Sequence, residues 1–138
     1  MDEGFRARAQ QVTKTLTSPT TSYVVVSSAE KEALDEAQFF INRLKTENIA
    51  TAGLIINRLT PDFSVSSDTQ AAKSFPALAE NANRLAQRAA SERLAIAPLI
   101  AAVSPSPVVY LSLLPHDVAD HQALSLLADQ LSASKPQR

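Results

Sequence analysis

The sequence contains no cysteine in 138 residues. That absence removes disulfides, thiolate nucleophiles and every zinc site built on Cys, and two histidines, His116 and His121, are too few for most all-histidine metal sites. Glycine is almost as scarce, with only Gly4 and Gly53. A phosphate-cradling loop of the form G-x-x-x-x-G-K-[ST] needs glycines so that backbone N–H groups can wrap the phosphates, and a lysine to neutralise them. Neither glycine precedes a Gly-Lys-Ser/Thr, so this motif is absent from the chain, as are G-x-G-x-x-G and the G-x-S-x-G nucleophile elbow. An excess of either charge is missing too. Thirteen basic against fourteen acidic residues give a formal net charge of -1, without the positive field that nucleic acid or an anionic membrane selects. No window approaches the eighteen or so apolar residues of a membrane span, and the start, Met1-Asp2-Glu3, is acidic where a secretory signal would be basic. These features predict a cytoplasmic protein that neither spans a membrane nor binds nucleic acid.

With 45% apolar and 20% charged residues, the composition is that of one ordinary globular domain, residues 1–138, long enough for a real core. Phe5, Ala9, Val12 and Leu16 recur at helical spacing and predict an amphipathic first helix, ended by Ser18-Pro19-Thr20-Thr21. Tyr23-Val24-Val25-Val26 is a β-branched run without polar alternation, the pattern of a parallel strand buried on both faces. Ser27 and Glu30 fit an S-x-x-E capping box. A second helix should then carry Leu34, Ala37, Ile41 and Leu44, with Phe39 and Phe40 as core.

The second strand should run from Ile49 to Ile56, with Gly53 allowing a close backbone approach, and stop at Asn57-Arg58. The serine-rich stretch from Thr60 to Ser74 reads as a loop. Leu78, Ala82, Leu85, Ala89 and Leu94 mark a third helix with a narrow apolar stripe, which Pro98 should kink or restart. Val108 to Leu114 is the third strand. The closing helix then carries Ala123, Leu124, Leu127, Ala128 and Leu131, and Lys135 to Arg138 should fray. The order α-β-α-β-α-β-α implies a parallel α/β sheet with helical crossovers. Three strands are few for a doubly wound domain, so at least one sheet edge should lack a partner within the chain.

Three constellations could carry chemistry. Asn57-Arg58 follows the second strand, where open parallel sheets place ligands; an amide can match both edge groups of adenine, and a guanidinium can lie on the base. The same pair also reads as a turn asparagine beside a solvated arginine. Pro115-His116-Asp117 with Asp120 and His121 suggests either a metal site or a strand-to-helix loop whose Asp120 caps the last helix. Glu30, Glu32, Asp35 and Glu36 gather at a helix start, where the macrodipole alone accounts for them.

Three stretches carry a family resemblance. The first is Ser18-Pro19-Thr20-Thr21-Ser22-Tyr23-Val24-Val25-Val26, followed by Ala29-Glu30 and Ala33-Leu34-Asp35-Glu36-Ala37. The second is Gly53-Leu54-Ile55-Ile56-Asn57-Arg58, and the third is Val108 to Leu114 followed by Asp117-Val118. Together they resemble the distal half of ArsA-type ATPases, the anion-transporting group that includes tail-anchored-protein targeting factors, and especially its actinobacterial-type members. The resemblance implies a partial doubly wound parallel sheet, half of a deviant P-loop NTPase domain. A two-lysine P-loop, the switch segments, the catalytic aspartate and the Mg site would lie on the half not present in this sequence. It implies ATP as the ligand, with Asn57 reading adenine, Arg58 beside it, and Leu114, Pro115, His116 and Asp117 in the loop on the base's other side. It also implies a P-loop-bearing half or partner subunit, in a homo- or hetero-dimer, without which the chain would not hydrolyse ATP. Ser112 departs from the proline many members carry before that loop, and the lack of cysteine gives no support for metalloid ligands. A different class of function remains open: an interaction module using the open sheet edge or the Phe5 to Leu16 helix. A metal-dependent enzyme using His116, Asp117, Asp120 and His121 is the third reading.

Overall fold

The computed structural model describes residues 2–63 and 74–133. Most of the serine-rich stretch, 64–73, and the C-terminal tail lie outside those residues. In chain order the elements are α1 (Asp2–Leu16), β1 (Tyr23–Ser27), α2 (Lys31–Thr46), β2 (Thr51–Leu59), α3 (Pro76–Val103), β3 (Val108–Ser112) and α4 (His121–Ala133). The strands form one parallel sheet in the order β1-β2-β3, so β1 and β3 are both edges among the described residues. This is the α/β architecture that the strand and helix alternation implies, consistent with part of a P-loop NTPase-like fold.

Alternation along each strand decides what is buried. Val25 pairs in register with Leu54 and Ser27 with Ile56, and Leu54 and Ile56 in turn pair with Val108 and Tyr110. All of these residues face α2 and α3. There Ile41, Ile96 and Leu99 meet Leu54 and Ile56, the five most completely buried large side chains among those described, and Ala37 and Val103 complete the cluster. The helix α2 stripe agrees with the sequence pattern: Ala37, Ile41 and Leu44 are buried at the expected 4 and 3 spacing.

The opposite face is much less covered. Leu111 is buried there, apart from the main cluster, and α4 packs along β3 with Ala123 and Leu127 half-buried. Val24 and Val26, however, are 54% and 60% exposed. The valine run is therefore not a strand buried on both faces; it is an edge strand covered on one face. Helix α1 is exposed from Gly4 to its end at Leu16, including the expected stripe of Phe5, Val12 and Leu16. Phe39 is also exposed and Phe40 partly so, the latter tilted against Tyr23 with ring centroids 6.3 Å apart, so neither belongs to the core.

Several local expectations are corrected. No capping box forms at α2: Ser27 is the last residue of β1, and its buried hydroxyl donates to the carbonyls of Ala33 and Ser28, both at 3.1 Å. Glu30 holds the N-cap position without a side-chain bond, and Ser28 Oγ accepts from the Glu30 N–H instead. Helix α3 runs through Pro98 to Val103 as one element. Its buried stripe is Ala89, Ile96, Leu99 and Val103, while Leu78 in the first turn and Leu94 on the outer face between Ala89 and Ile96 are exposed. Strand β3 ends at Ser112, two residues earlier than its apolar run.

Gly53 is not under a close backbone. A Cβ there would meet the Pro107 carbonyl oxygen at 3.5 Å and Pro107 Cγ at 3.8 Å, ordinary contact distances. Because glycine weakens a strand interior by its excess unfolded entropy, Gly53→Ala is expected to preserve stability or raise it by up to about 1 kcal/mol. A urea midpoint below that of the parent chain would contradict this.

Candidate functional site

Strand β2 does not stop at Asn57-Arg58; it continues to Leu59. The pairing with β3 shifts there, however. Ile56 is opposite Tyr110 and Leu59 is opposite Ser112, so β2 advances three residues while β3 advances two. Asn57-Arg58 is therefore a β-bulge, which leaves the ladder locally unpaired and re-aims the side chains of the bulged strand. Arg58 has φ 60°, in the left-handed region, which costs a residue with a Cβ roughly 1–2 kcal/mol. The surroundings must hold it there.

They do so from three sides. Asn57 Oδ1 accepts the Arg58 backbone N–H at 2.9 Å, satisfying a donor that the ladder no longer uses. The Leu59 carbonyl accepts the Leu113 N–H at 2.8 Å, restoring the sheet immediately after the bulge. The next residue is clamped from helix α3: Glu92 accepts the Thr60 backbone N–H at 2.7 Å and the Thr60 hydroxyl at 2.8 Å. Arg88 Nε also donates to Glu92, at 2.9 Å, and the Glu92 side chain is only 12% exposed. Burial pushes this carboxyl upward, but the two Thr60 bonds and then Arg88 outweigh it and hold the group below its ordinary value. Glu92 is thus ionised at neutral pH and fully engaged.

The bulge opens onto a cleft of about 330 Å³ at the carboxyl ends of β2 and β3. Its walls bring together Asn57, Arg58, Leu114, His116 and Asp117, five of the six residues singled out from the sequence. Ser112, Leu113, Val118 and Leu127 of α4 complete it, while Pro115 stands in the same loop but off the wall. Asn57 is half-buried, and Arg58, His116 and Asp117 are exposed. Asn57 Oδ1 has a second lone pair beyond the one used by Arg58, and its amide NH2 has no hydrogen-bond partner among the described residues. Donor and acceptor therefore sit side by side at an opening lined by both polar residues and the apolar Leu113, Leu114, Val118 and Leu127. Arg58 also borders a second cleft on the α2–α3 side of the sheet, with Ser28, Arg88 and Glu92.

This architecture, a parallel sheet whose strand ends frame an asparagine-bearing corner, can be set beside known families. The family model for anion-transporting ATPases matches residues 2–133. The chain belongs to the anion-transporting ATPase family. No curated protein matches it at a significant level. In this ArsA-family chain the His/Asp loop after β3 takes a plain structural form: Asp120 Oδ1 accepts the Ala123 N–H at 2.8 Å, capping α4. His116 and His121 are exposed, and among the described residues no three His, Cys, Asp or Glu side chains gather as a metal site. No described helix is long and apolar enough to cross a membrane.

The sequence pattern missed two contributors to the corner. Glu92 stands outside the apolar spacing that defines its alanine-rich helix, and Thr60 opens the serine-rich stretch that reads as a loop. The available signal for Glu92 was its fourth-residue spacing from Arg88, which marks an ion pair but gives no hint of a partner 32 residues away.

Proposed function

We propose that this chain supplies the adenine-side corner of an ATP site in an anion-transporting ATPase, while a P-loop-bearing half or partner subunit supplies the phosphate site. The observation that carries the reading is the bulge, which turns Asn57 into a cleft at the carboxyl ends of parallel strands, where open α/β sheets take their ligands. Asn57 would hold the base edge through its amide. The Arg58 guanidinium would lie along the base face, and Leu114 to Val118 would border the other side. The cleft, at about 330 Å³, is at the small end of ligand pockets, a size suited to a base rather than a whole triphosphate nucleotide.

ATP, when bound, would supply the scissile phosphoanhydride, and Mg²⁺ would be held with the triphosphate by the complementary half. No residue of this sequence forms a glycine-lysine phosphate cradle. The working unit is accordingly a homo- or hetero-dimer, or a longer assembly of the two halves, acting in the cytoplasm on an anion or a client of the family's kind. The exposed Val24 and Val26 and the uncovered stripe of α1 support an apolar partner surface.

The same surface favours a second reading, an interaction module that keeps the fold without the nucleotide. One experiment separates them. Binding of a non-hydrolysable ATP analogue is measured for the chain with a P-loop-bearing ArsA-family half, comparing wild type with Asn57→Ala. The expected result is an affinity loss of roughly tenfold, the scale of one bidentate contact to a base. An unchanged affinity would favour the interaction module, and substantial ATP turnover by the isolated chain would overturn the division of labour.

A further inference from the structure

We propose that Glu92 is the positioning residue of the base-reading corner: anchored on helix α3, its carboxylate fixes Thr60 and so keeps the Asn57-Arg58 bulge in the form that aims Asn57 into the cleft. This inference rests on the adenine-side reading of that cleft, though its conformational part stands independently of any nucleotide.

The argument begins with the backbone. A left-handed arginine is unfavourable by itself, so the bulge persists only if the chain on both sides is held. Upstream, Leu54 and Ile56 are locked into the core on the central strand. Downstream, the Leu113-to-Leu59 bond holds the sheet side, but Leu59 is the last paired residue of β2. Beyond it, the two bonds from Thr60 to Glu92 are the first contacts that tie the exiting chain to the helical layer. Both go to one carboxylate, at 2.7 and 2.8 Å, one to each oxygen. Such a pair fixes the direction of the chain as well as its position, because releasing either bond allows rotation about the other.

Arg88 adds a bond to the same Oε1 that receives the Thr60 hydroxyl, which restrains the carboxylate itself. The geometry runs in one line: helix α3 holds Glu92, Glu92 holds Thr60, Thr60 holds the end of the bulge, and Arg58 in its left-handed conformation presents the N–H that orients Asn57 Oδ1. Glu92 itself does not line the Asn57 cleft; it lines the neighbouring one, and so acts through the backbone rather than by touching the base.

Heteronuclear NMR on the labelled chain tests this directly. The Arg58 HN–Hα coupling and Cα and Cβ shifts report its φ, and the Asn57 side-chain amide signals report its orientation. In Glu92→Ala, Arg58 is expected to leave the left-handed region and the Asn57 amide signals to move. Glu92→Gln retains a carbonyl acceptor for one Thr60 bond and should stay close to wild type. Signals at Arg58 and Asn57 that are unchanged in a folded Glu92→Ala chain would overturn the proposal. Should Glu92→Ala not fold, Thr60→Val removes the hydroxyl partner alone and should shift the same signals part of the way; no shift in it overturns the proposal equally.

Adenosine titration, followed at the same signals, adds the functional arm. Glu92→Ala is expected to weaken adenosine binding about fivefold in the wild-type background and to have no further effect in Asn57→Ala, since coupled residues lose their effect once the partner is gone. Additive losses would overturn the claim that Glu92 acts through Asn57. An Asn57→Ala chain with undiminished adenosine response would instead strike the base-reading proposal, leaving the conformational result intact.

Discussion

Truncating Ile56 to alanine is expected to lower the unfolding free energy by about 2–5 kcal/mol, the range found when a fully buried aliphatic side chain leaves a cavity. Ile56 is wholly inaccessible to solvent and lies on the central strand, between Ser27 on β1 and Tyr110 on β3, beneath α2 and α3. Its neighbours cannot collapse into the gap, because β2 is hydrogen-bonded on both sides and Leu54 and Ile96 are themselves packed. Val26→Ala is the matched control. It removes a β-branched side chain from the same sheet, but from a position 60% exposed, and should cost less than about 1 kcal/mol. Urea denaturation followed by circular dichroism gives both values. A folded domain of this kind has only about 5–15 kcal/mol to lose, so Ile56→Ala should move the midpoint by 1 M or more at slopes of about 1–3 kcal/mol per molar. Equal midpoints for the two variants would contradict the one-sided core.

That asymmetry is where the sequence was least legible. A run such as Tyr23-Val24-Val25-Val26 is compatible with burial on both faces or on one, because β-branched residues suit a strand whether or not the second face is covered. What decides between them is the presence of another layer, and that depends on elements remote in the chain. The exposure of Phe39 and Phe40 escapes the sequence for the same reason. The residues on the inner side of α2 were legible, since Ala37, Ile41 and Leu44 repeat at helical spacing and nothing distant was needed to place them.

The site divides along similar lines. Asn57, Arg58 and the loop after β3 could be placed at strand ends from the order of apolar runs alone, and they do share a cleft. The bulge that aims Asn57 could not. A bulge often announces itself by a glycine, and here an arginine occupies the left-handed position, held by contacts that local sequence does not encode. Glu92 belongs to that hidden set. Its position 32 residues after Thr60 is set by the packing of α3 on β2, a tertiary fact without a local signature.

Pro98 shows how packing can override a local rule, and it yields the second large prediction. Proline in a helix interior is about 3 kcal/mol less favourable than alanine, because it lacks the N–H that would bond to the carbonyl four residues earlier and its ring crowds that carbonyl. Here the carbonyl is that of Leu94, whose side chain is 77% exposed, and Pro98 is on the same solvent-facing side. Water can therefore reach the orphaned oxygen. The residues flanking the proline are the opposite: Ile96 and Leu99 are among the most completely buried of the described residues, and Val103 anchors the end of the helix. Their burial, worth about 1.5–3 kcal/mol for each large side chain, is enough to carry the helix through a residue that would otherwise end it. Since Pro98 contributes little of that burial, Pro98→Ala should restore the missing bond and raise stability by about 1–3 kcal/mol, seen as a melting temperature several degrees higher. A lower melting temperature for Pro98→Ala would mean that α3 needs the proline to follow the sheet, and the account of a helix sustained by its inner stripe would have to be abandoned.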